Sequence, residues 1–307
     1  MSSKPLVSIL LPIYNYNNFR PVVNSILKQD YNNFELLICD DGSNPPLQHF
    51  DFKDERVKFI KNKINIGLGK TLNKLLTQAD KNAKYFSTIE QDDKYRSYFI
   101  SDCIEFLEKN IEFGLVSGIS EFWDGSRVTY KFPGMIAGGN DYPFGKEMFL
   151  LNYKRQIKVA QTCMVIRKKV HYENRLMFSE KYESLSVDWD YVLRFSLVSK
   201  IKGLQKVFVR QDRRKQRNSL TTKNKKAGKI VRELLLDFKN EFSDIISKKD
   251  YDYALATQYY SELGNYKFLS RISLIIIKIL FLDPDKARIR ARIKKELLNK
   301  IILWRNS

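Results

Sequence analysis

The first hundred residues alternate between nearly continuous apolar runs of strand length and segments whose apolar residues recur at helical spacing. The runs predict strands over residues 6–14, 34–43, 56–62 and 84–93, and the spacing predicts helices over 18–29, 67–79 and 97–110. Strands without polar alternation are buried on both faces. Their alternation with helices predicts an α/β domain with a parallel sheet built from βαβ units.

The pattern loosens after residue 112 and becomes helical after residue 222. Shorter strands are predicted at 113–123 and 156–167, and the Gly- and Pro-bearing stretch 131–145 between them is either a mobile, substrate-facing segment or an ordinary surface loop. Helices rich in Lys and Arg are predicted at 227–242, 252–263, 268–282 and 285–307. We therefore predict an α/β domain over 1–220 and a basic helical region over 221–307.

The composition is that of a globular and strongly basic protein. Of 307 residues, 43% are hydrophobic, and 54 Lys and Arg against 35 Asp and Glu give a formal charge of +19. Such a field attracts anions, whether nucleic acid, acidic lipid or phosphorylated small molecules. Three cysteines, odd in number and far apart, predict reduced, buried thiols and no zinc site. His49 and His171 are predicted to be surface or packing residues.

No signal peptide or membrane span is expected. The longest apolar run, 272–282, is interrupted by Lys278, and the N-terminal run is short and contains Pro12. We expect a cytoplasmic protein, in which the basic C-terminal helices, ending near Trp304, pack on the α/β domain, meet an anionic membrane or mediate oligomerisation.

Acidic residues follow two of the predicted strands. Asp40 and Asp41 end the second strand, where they either form a turn or accept an N–H of a nucleobase. Glu90, Asp92 and Asp93 follow the fourth strand, and three carboxylates so close repel one another unless a cation lies between them. Oxygen-rich clusters suit Mg²⁺ or Mn²⁺, although a helix cap would need one of the three.

A third acidic pair, Asp188 and Asp190, flanks Trp189 at the start of a predicted helix. Either acid could complement the helix dipole, and Ser186 could cap the helix in their place. A carboxylate there could also accept a proton from a substrate hydroxyl. Lys70, in the first turn of another predicted helix, could contact a phosphate or a base, or be an ordinary solvated lysine.

Six motifs in order resemble the family 2 glycosyltransferases of the GT-A fold. They are VSILLPIYN, FELLICDDGS, NIGLGKTLNKLL, KYFSTIEQDD, TCMVIRKKV and VDWDYVLRF, and the resemblance covers about residues 5–220. It implies a Rossmann-like, mostly parallel central sheet flanked by helices, followed in this chain by the C-terminal helical region.

The resemblance also implies residue roles. Pro12 and Tyr14 match the segment that flanks the nucleotide base, and Asp41 matches the acid that contacts uracil. Asp92 and Asp93 match the region that holds the metal and the ribose, with Glu90 at the leading acid position. Asp188 matches the general base.

Two positions depart from the family pattern. Val187 stands where the family commonly has a Glu beside the general base, and Asp190 remains in the Asp-Trp-Asp pattern. Where many relatives carry a His that approaches the metal, this chain has VRQDRRKQRNSLT, which places Asp212 nearby.

The implied activity is metal-dependent, inverting transfer of a sugar from a nucleotide sugar, with UDP favoured, to a saccharide or lipid-linked acceptor in bacterial surface polysaccharide synthesis. A nucleotidyltransferase would be expected to show a Gly-rich phosphate loop, which the N-terminal segment lacks. A glycoside hydrolase needs no metal–diphosphate cluster. A nucleic-acid-binding protein could use the basic stretch 210–226, but no recognised motif accompanies it, and no nucleic-acid partner is expected.

Overall fold

The computed structural model describes residues 4–47, 52–132, 141–143, 145–154, 159, 161–182, 184–214, 227–263, 269–283, 285–291 and 293–294. The predicted loop residues 133–140, most of the basic stretch 210–226, His49 and Trp304 lie outside these ranges. Contacts divide the chain into two compact units, one of Met1–Met148 with Ile157–Ser219 and the other of Phe149–Gln156 with Leu220–Ser307.

One mixed sheet of ten strands organises the described part of the first unit. The strands are β1 (Val7–Ile13), β2 (Phe34–Asp40), β3 (Val57–Lys61), β4 (Tyr85–Thr88), β5 (Lys94–Tyr95), β6 (Phe113–Trp123), β7 (Val128–Phe132), β8 (Asp141–Tyr142), β9 (Met164–Arg167) and β10 (Lys200–Asp212). Their order is β3-β2-β1-β4-β9-β6-β10-β5, with β7 beside β6 and β8 beside β10. Strands β5, β7, β8 and β9 run against the other six.

Helices accompany the sheet. They are α1 (Arg20–Leu27), α2 (Leu68–Gln78), α3 (Phe99–Lys109), α5 (Lys168–Glu173) and α6 (Val187–Phe195), with a 3-10 turn at Gln161–Cys163. The first residues of α4 (Gly145–Lys154) belong to the first unit and the others to the second unit. The predicted helical spacing forms their buried faces: Leu72, Leu75 and Leu76 of α2 are at most 3% exposed. All seven residues of β2 are buried, as expected for a central strand of an α/β sheet.

The order of the strands creates a crevice beside β1. The chain passes from β1 to β2 and β3 on one side, then returns to pair β4 with the other side of β1. At such a reversal, ligands bind beyond the carboxyl ends of the strands. The residues that follow β1, β2 and β4 therefore face one crevice. The predicted fold class is confirmed, including the first four strands.

Six elements were not predicted from the sequence: β5, β7, β8, β10, α4 and α5. Of the expected strand at 156–167, the described residues include a strand at Met164–Arg167 behind the 3-10 turn at Gln161–Cys163, and α5 follows that strand directly. Helix α4 begins at Gly145, where a loop was predicted. Strand β10 alternates buried and solvated positions and carries Lys200, Lys202 and Lys206, so its sequence lacks the continuous apolar run of a buried strand.

The second unit contains α7 (Ala227–Glu241), α8 (Lys248–Glu262) and α9 (Leu269–Leu282). Tyr260 of α8 packs in one cluster with Ile272, Ile275 and Ile279 of α9. Among the described residues, no helix is long and apolar enough to cross a membrane.

Candidate active site

The turn after β2 is held by Asp40, which is fully buried. Its Oδ1 accepts the Ser43 N–H at 2.9 Å and its Oδ2 accepts the Leu47 N–H at 3.2 Å. Gly42 has φ +69°, and a Cβ there would lie 2.2 Å from the carbonyl carbon of Ile64, so only glycine fits. Asp40 therefore has the turn-forming role that the composition suggested.

Asp41 holds the loop that leads into α2. Its Oδ1 accepts from Asn62 Nδ2 at 2.8 Å and Ile66 N at 3.0 Å, and its Oδ2 accepts from Asn65 Nδ2 at 3.2 Å and Gly67 N at 3.0 Å. A carboxylate offers about four lone-pair sites. A base N–H can reach Asp41 only by sharing an oxygen or by displacing a donor, and the longest of the four bonds comes from the exposed Asn65.

The end of β1 is tied to the ends of both neighbouring strands. Tyr14 N donates to Gln91 Oε1 at 2.9 Å, after β4, and Asn15 N donates to Ser43 Oγ at 2.9 Å, after β2. The Tyr14 side chain is 39% exposed, and Pro12 is partly buried in β1. An exposed aromatic ring is therefore held by its backbone at the mouth of the crevice.

Three carboxylates gather after β4. One oxygen of each of Glu90, Asp92 and Asp93 lies within 4.8 Å of the others; Asp93 is buried and the other two are partly buried. The backbone closes this turn through an Asp93 N–H bond to the Glu90 carbonyl at 3.2 Å. The donor set, all oxygen and partly withdrawn from water, fits Mg²⁺ or Mn²⁺.

Strand pairing brings the end of β10 to this cluster. The two residues of β5 follow Asp93 and pair antiparallel with Val209 and Arg210 of β10. As a result, Asp212 N donates to Asp93 Oδ1 at 3.2 Å, although 119 positions separate them. Asp212 thus lies beside the acidic cluster, in the region that the sequence indicated.

The two acids of the Asp-Trp-Asp pattern have different surroundings. Asp188 is partly buried in the first turn of α6. Asp190 is buried and accepts from Arg194 Nε at 3.1 and 3.0 Å, an ion pair within the helix. The suggestion that Ser186 caps α6 is wrong: its side chain makes no capping bond, and its φ of +56° is left-handed, whereas capping residues are extended.

The segment before α6 is joined to the start of α2. Leu68 N donates to Ser184 Oγ at 2.9 Å, and a Cβ on Gly69 would lie 2.0 Å from the Ser179 carbonyl oxygen. Lys70 is exposed in the first turn of α2. The loop that Asp41 holds, the start of α2 and the segment leading to Asp188 therefore form one connected set of contacts.

His171 is a packing residue, one of the two roles predicted for it. It is 4% exposed, and its Nδ1 lies 2.9 Å from the Tyr191 hydroxyl. Burial, with a smaller effect of the nearby Lys168 charge, lowers the pKa of His171 to about 4. The three cysteines are free and buried, as expected.

Sequence reasoning missed Asn62, Asn65 and Gln91, which hold the crevice together. Asn62 follows β3 and Gln91 follows β4. Residues that follow the strands of a parallel sheet lie at one edge of the sheet, so the positions of Asn62 and Gln91 directly after strands could have identified them as residues of the crevice. Their partners, however, depend on how the loops fold.

Known proteins of similar sequence are glycosyltransferases. The family model "Glycosyl transferase family 2" matches residues 8–174. An uncharacterized glycosyltransferase of Haemophilus influenzae is 28% identical over 195 residues, which span 59% of this chain and 58% of that protein. WfgD of Escherichia coli, named as a UDP-Glc:alpha-D-GlcNAc-diphosphoundecaprenol beta-1,3-glucosyltransferase, is 30% identical over 130 residues, or 41% of this chain and 50% of that protein.

A solved structure shares the fold. Residues 1–349 of S. aureus TarS, in complex with UDP-GlcNAc, superpose with a TM-score of 0.65 at 16% identity, covering 90% of this chain and 80% of that one. The family match covers more than half of this chain, and the ends of β1, β2 and β4, which border the crevice, lie within it. The chain therefore belongs to Glycosyl transferase family 2, and it spans only 58% and 50% of the lengths of the two relatives above.

Proposed function

We propose that this glycosyltransferase moves a sugar from a UDP-sugar to a hydroxyl of a saccharide or lipid-linked acceptor in bacterial surface polysaccharide synthesis, with inversion at the anomeric carbon. The observation that carries the proposal is the group formed by Glu90, Asp92 and Asp93 at the mouth of the crevice. The UDP-GlcNAc bound by TarS and the UDP-Glc and diphosphoundecaprenol in the name of WfgD support this choice of donor and acceptor.

In this proposal the nucleotide lies along the carboxyl ends of β1 and β2. Pro12 and the exposed Tyr14 flank the base. Asp41 either contacts the base directly or holds the loop that contains Asn65 in place beside it. Lys70, exposed at the start of α2, contributes positive charge on the phosphate side. Asp92 would contact the ribose and would be one of the residues that hold the metal.

Asp92 and Asp93 would hold a divalent Mn²⁺ or Mg²⁺ ion, with Glu90 beside them. When bound, such an ion neutralises the charge that builds on the departing diphosphate. Three carboxylates this close repel one another, and a divalent ion between them would offset that repulsion.

Asp188 acts as the general base. Its carboxylate takes the proton of the acceptor hydroxyl as the hydroxyl oxygen forms a bond to the anomeric carbon. The bond from that carbon to the diphosphate oxygen breaks, and the oxygen leaves with the electron pair. A single displacement from the opposite face inverts the anomeric centre and needs no second nucleophile.

A thermal-shift panel tests the proposal. We expect UDP and UDP-sugars with Mn²⁺ to raise Tm by several degrees, since a ligand at about 100 times its Kd stabilises by about 2.7 kcal/mol. Chelation should remove most of the shift, and Asp93→Asn should abolish its dependence on Mn²⁺. If no nucleoside diphosphate or nucleotide sugar shifts Tm in Mn²⁺, the proposal is wrong.

We also propose that the enzyme works at the cytoplasmic face of a membrane, bound through α9. One side of this helix is apolar and exposed: Leu274 is 60% exposed, Ile277 48%, Leu280 56% and Phe281 87%. We call these four side chains the apolar ridge. Exposed basic residues, among them Lys286 and Arg290, follow the helix in a chain of formal charge +19. Apolar side chains close to basic ones suit an anionic bilayer surface.

A further inference from the structure

Arg214 lies just beyond β10, close to the acidic cluster. Asp212 is the last residue of β10, and its N–H donates to Asp93 Oδ1 at 3.2 Å. Two residues later, the Arg214 guanidinium donates to the carboxylate of Asp212, the residue whose N–H is bonded to Asp93. A cation of the chain is thus placed beside the acids that are proposed to hold the metal, where the diphosphate of the nucleotide would lie.

The position of Arg214 is set by two contacts. The Asp212 carboxylate accepts from Arg214 N at 3.1 Å, from Nε at 3.0 and 2.8 Å, and from Nη2 at 2.5 Å. On its other side, the Arg214 stem lies against Gly125, where a Cβ would come within 3.2 Å of Cγ. The guanidinium is therefore oriented in advance, although half of the side chain is exposed.

The neighbouring arginines are directed elsewhere. Arg96 donates to Glu121 at 2.6 Å, and Arg210 lies 3.8 Å from the same carboxylate. Arg213 donates to Gln211 and lies over the Phe122 ring, 4.7 Å from its centroid. Among these four arginines, and within the described residues, only Arg214 hydrogen-bonds the carboxylate of Asp212, which lies next to Asp93. Within the same residues, the Nη1 atom of Arg214 makes no hydrogen bond.

We propose that Arg214 is a substrate-binding residue that donates to a phosphate oxygen of the nucleoside diphosphate. This inference rests on the proposed function. Four acids, Glu90, Asp92, Asp93 and Asp212, repel a diphosphate, and a fixed guanidinium supplies a positive charge and N–H groups in a planar fork that fits phosphate oxygens. Asp212 would hold this fork so that Nη1 faces the phosphate, and the same contact would stabilise the diphosphate as it departs.

Equilibrium binding of UDP and uridine, measured by calorimetry in Mn²⁺, tests the assignment. Arg214→Ala should weaken UDP binding about 10- to 100-fold, the loss expected for a hydrogen bond between charged groups. Uridine lacks phosphate, so its affinity should change less than twofold. Arg214→Lys keeps the positive charge but not the planar fork of N–H groups, so its affinity for UDP should lie between those of the unaltered enzyme and Arg214→Ala. Arg213→Ala removes the same charge one residue away and should leave both affinities unchanged.

The outcomes separate this inference from the function on which it rests. If the unaltered enzyme binds UDP but Arg214→Ala and Arg214→Lys bind it equally tightly, the role of Arg214 is wrong and the function stands. If the unaltered enzyme binds no nucleoside diphosphate, both are wrong. Equal losses for UDP and uridine would show that Arg214 only supports the local structure, which also overturns the assignment. Tm of each variant, measured in parallel, reports whether it is folded.

Discussion

Neighbouring aspartates in this protein have different surroundings. Asp40 closes a turn through two backbone N–H groups, whereas Asp41 is bonded to a separate loop through four donors. Asp190 is paired with Arg194, and Asp188 lies nearer the surface. Successive residues of a strand or helix point in different directions. An acidic pair in the sequence therefore marks a site without saying which acid reaches the substrate.

Asp188→Asn tests the general base. The substitution keeps the shape of the side chain but removes the proton acceptor, so we expect kcat to fall about 10²- to 10⁴-fold. UDP affinity should change less than twofold, because Asp188 is proposed to face the acceptor. The measurement is steady-state kinetics with a UDP-sugar, together with UDP binding.

Asp190→Asn is the matched control for that experiment. Asp190 is buried against Arg194, so replacing it leaves a guanidinium with a weaker partner and should lower Tm. Asp188→Asn should leave Tm nearly unchanged. If Asp188→Asn retains kcat within about threefold of the unaltered enzyme, another group is the base.

At the scale of elements, α6 is positioned by an aromatic layer. Tyr191 of α6 stacks on Phe178 with 4.3 Å between ring centroids, and its hydroxyl meets His171 of α5. His171 in turn packs edge-on against Phe86 of β4 at 5.3 Å. These contacts fix α6, and with it Asp188, to the sheet.

This layer makes stability depend on pH. Burial holds the pKa of His171 at about 4 in the folded protein, against 6.5 for an ordinary histidine. Between these values the unfolded chain binds the extra proton, so stability falls as pH drops below about 6.5 and the loss levels off near 4. From pH 7 to pH 5 we expect a loss of about 2 kcal/mol from this group.

Tm measured across that pH range checks the prediction. His171→Gln stays neutral and can still bond the Tyr191 hydroxyl, so its Tm should depend less on pH than that of the unaltered protein. Identical pH dependence in the two proteins would show that His171 does not carry the effect.

At the scale of the whole molecule, the formal charge of +19 and the apolar ridge bear on where the enzyme works. Basic residues near an anionic lipid surface contribute about 1 kcal/mol each, and this attraction weakens with salt. Apolar side chains that enter the interface add binding that salt does not screen. Neither the electrostatic nor the apolar contribution to membrane binding depends on the residues of the crevice.

Sedimentation with vesicles tests this placement. We expect binding to vesicles rich in anionic lipid and little binding to neutral ones. The double substitution Ile277→Ser with Phe281→Ser should reduce it about 10-fold or more, because two large apolar side chains no longer leave water. Leu236→Ser, at a 44% exposed position on α7, is the control and should bind like the unaltered protein. If the double variant binds the vesicles as fully as the unaltered protein, the apolar ridge is not the membrane-binding surface.

The pattern of apolar and polar residues was enough to predict the class of fold and the edge of the sheet where the crevice lies. Continuous apolar runs can only be buried in a sheet covered on both faces, and acids directly after such runs must lie at its carboxyl edge. These two rules correctly predicted β1 to β4 and the positions of the acidic residues that follow β2 and β4. It failed for β10, whose charged residues alternate, and for α4, which begins where glycine and proline indicated a loop.

Which side chains meet could not be predicted from that pattern, because it depends on how distant segments pack together. That Asp41 bonds Asn62 and Asn65, and that Asp212 reaches Asp93 from 119 positions away, follows from strand order and from the pairing of β5 with β10. Periodicity in a sequence reports which face of an element avoids water. It carries no information on the distant segment that lies opposite, because that choice is made by the packing of the whole chain.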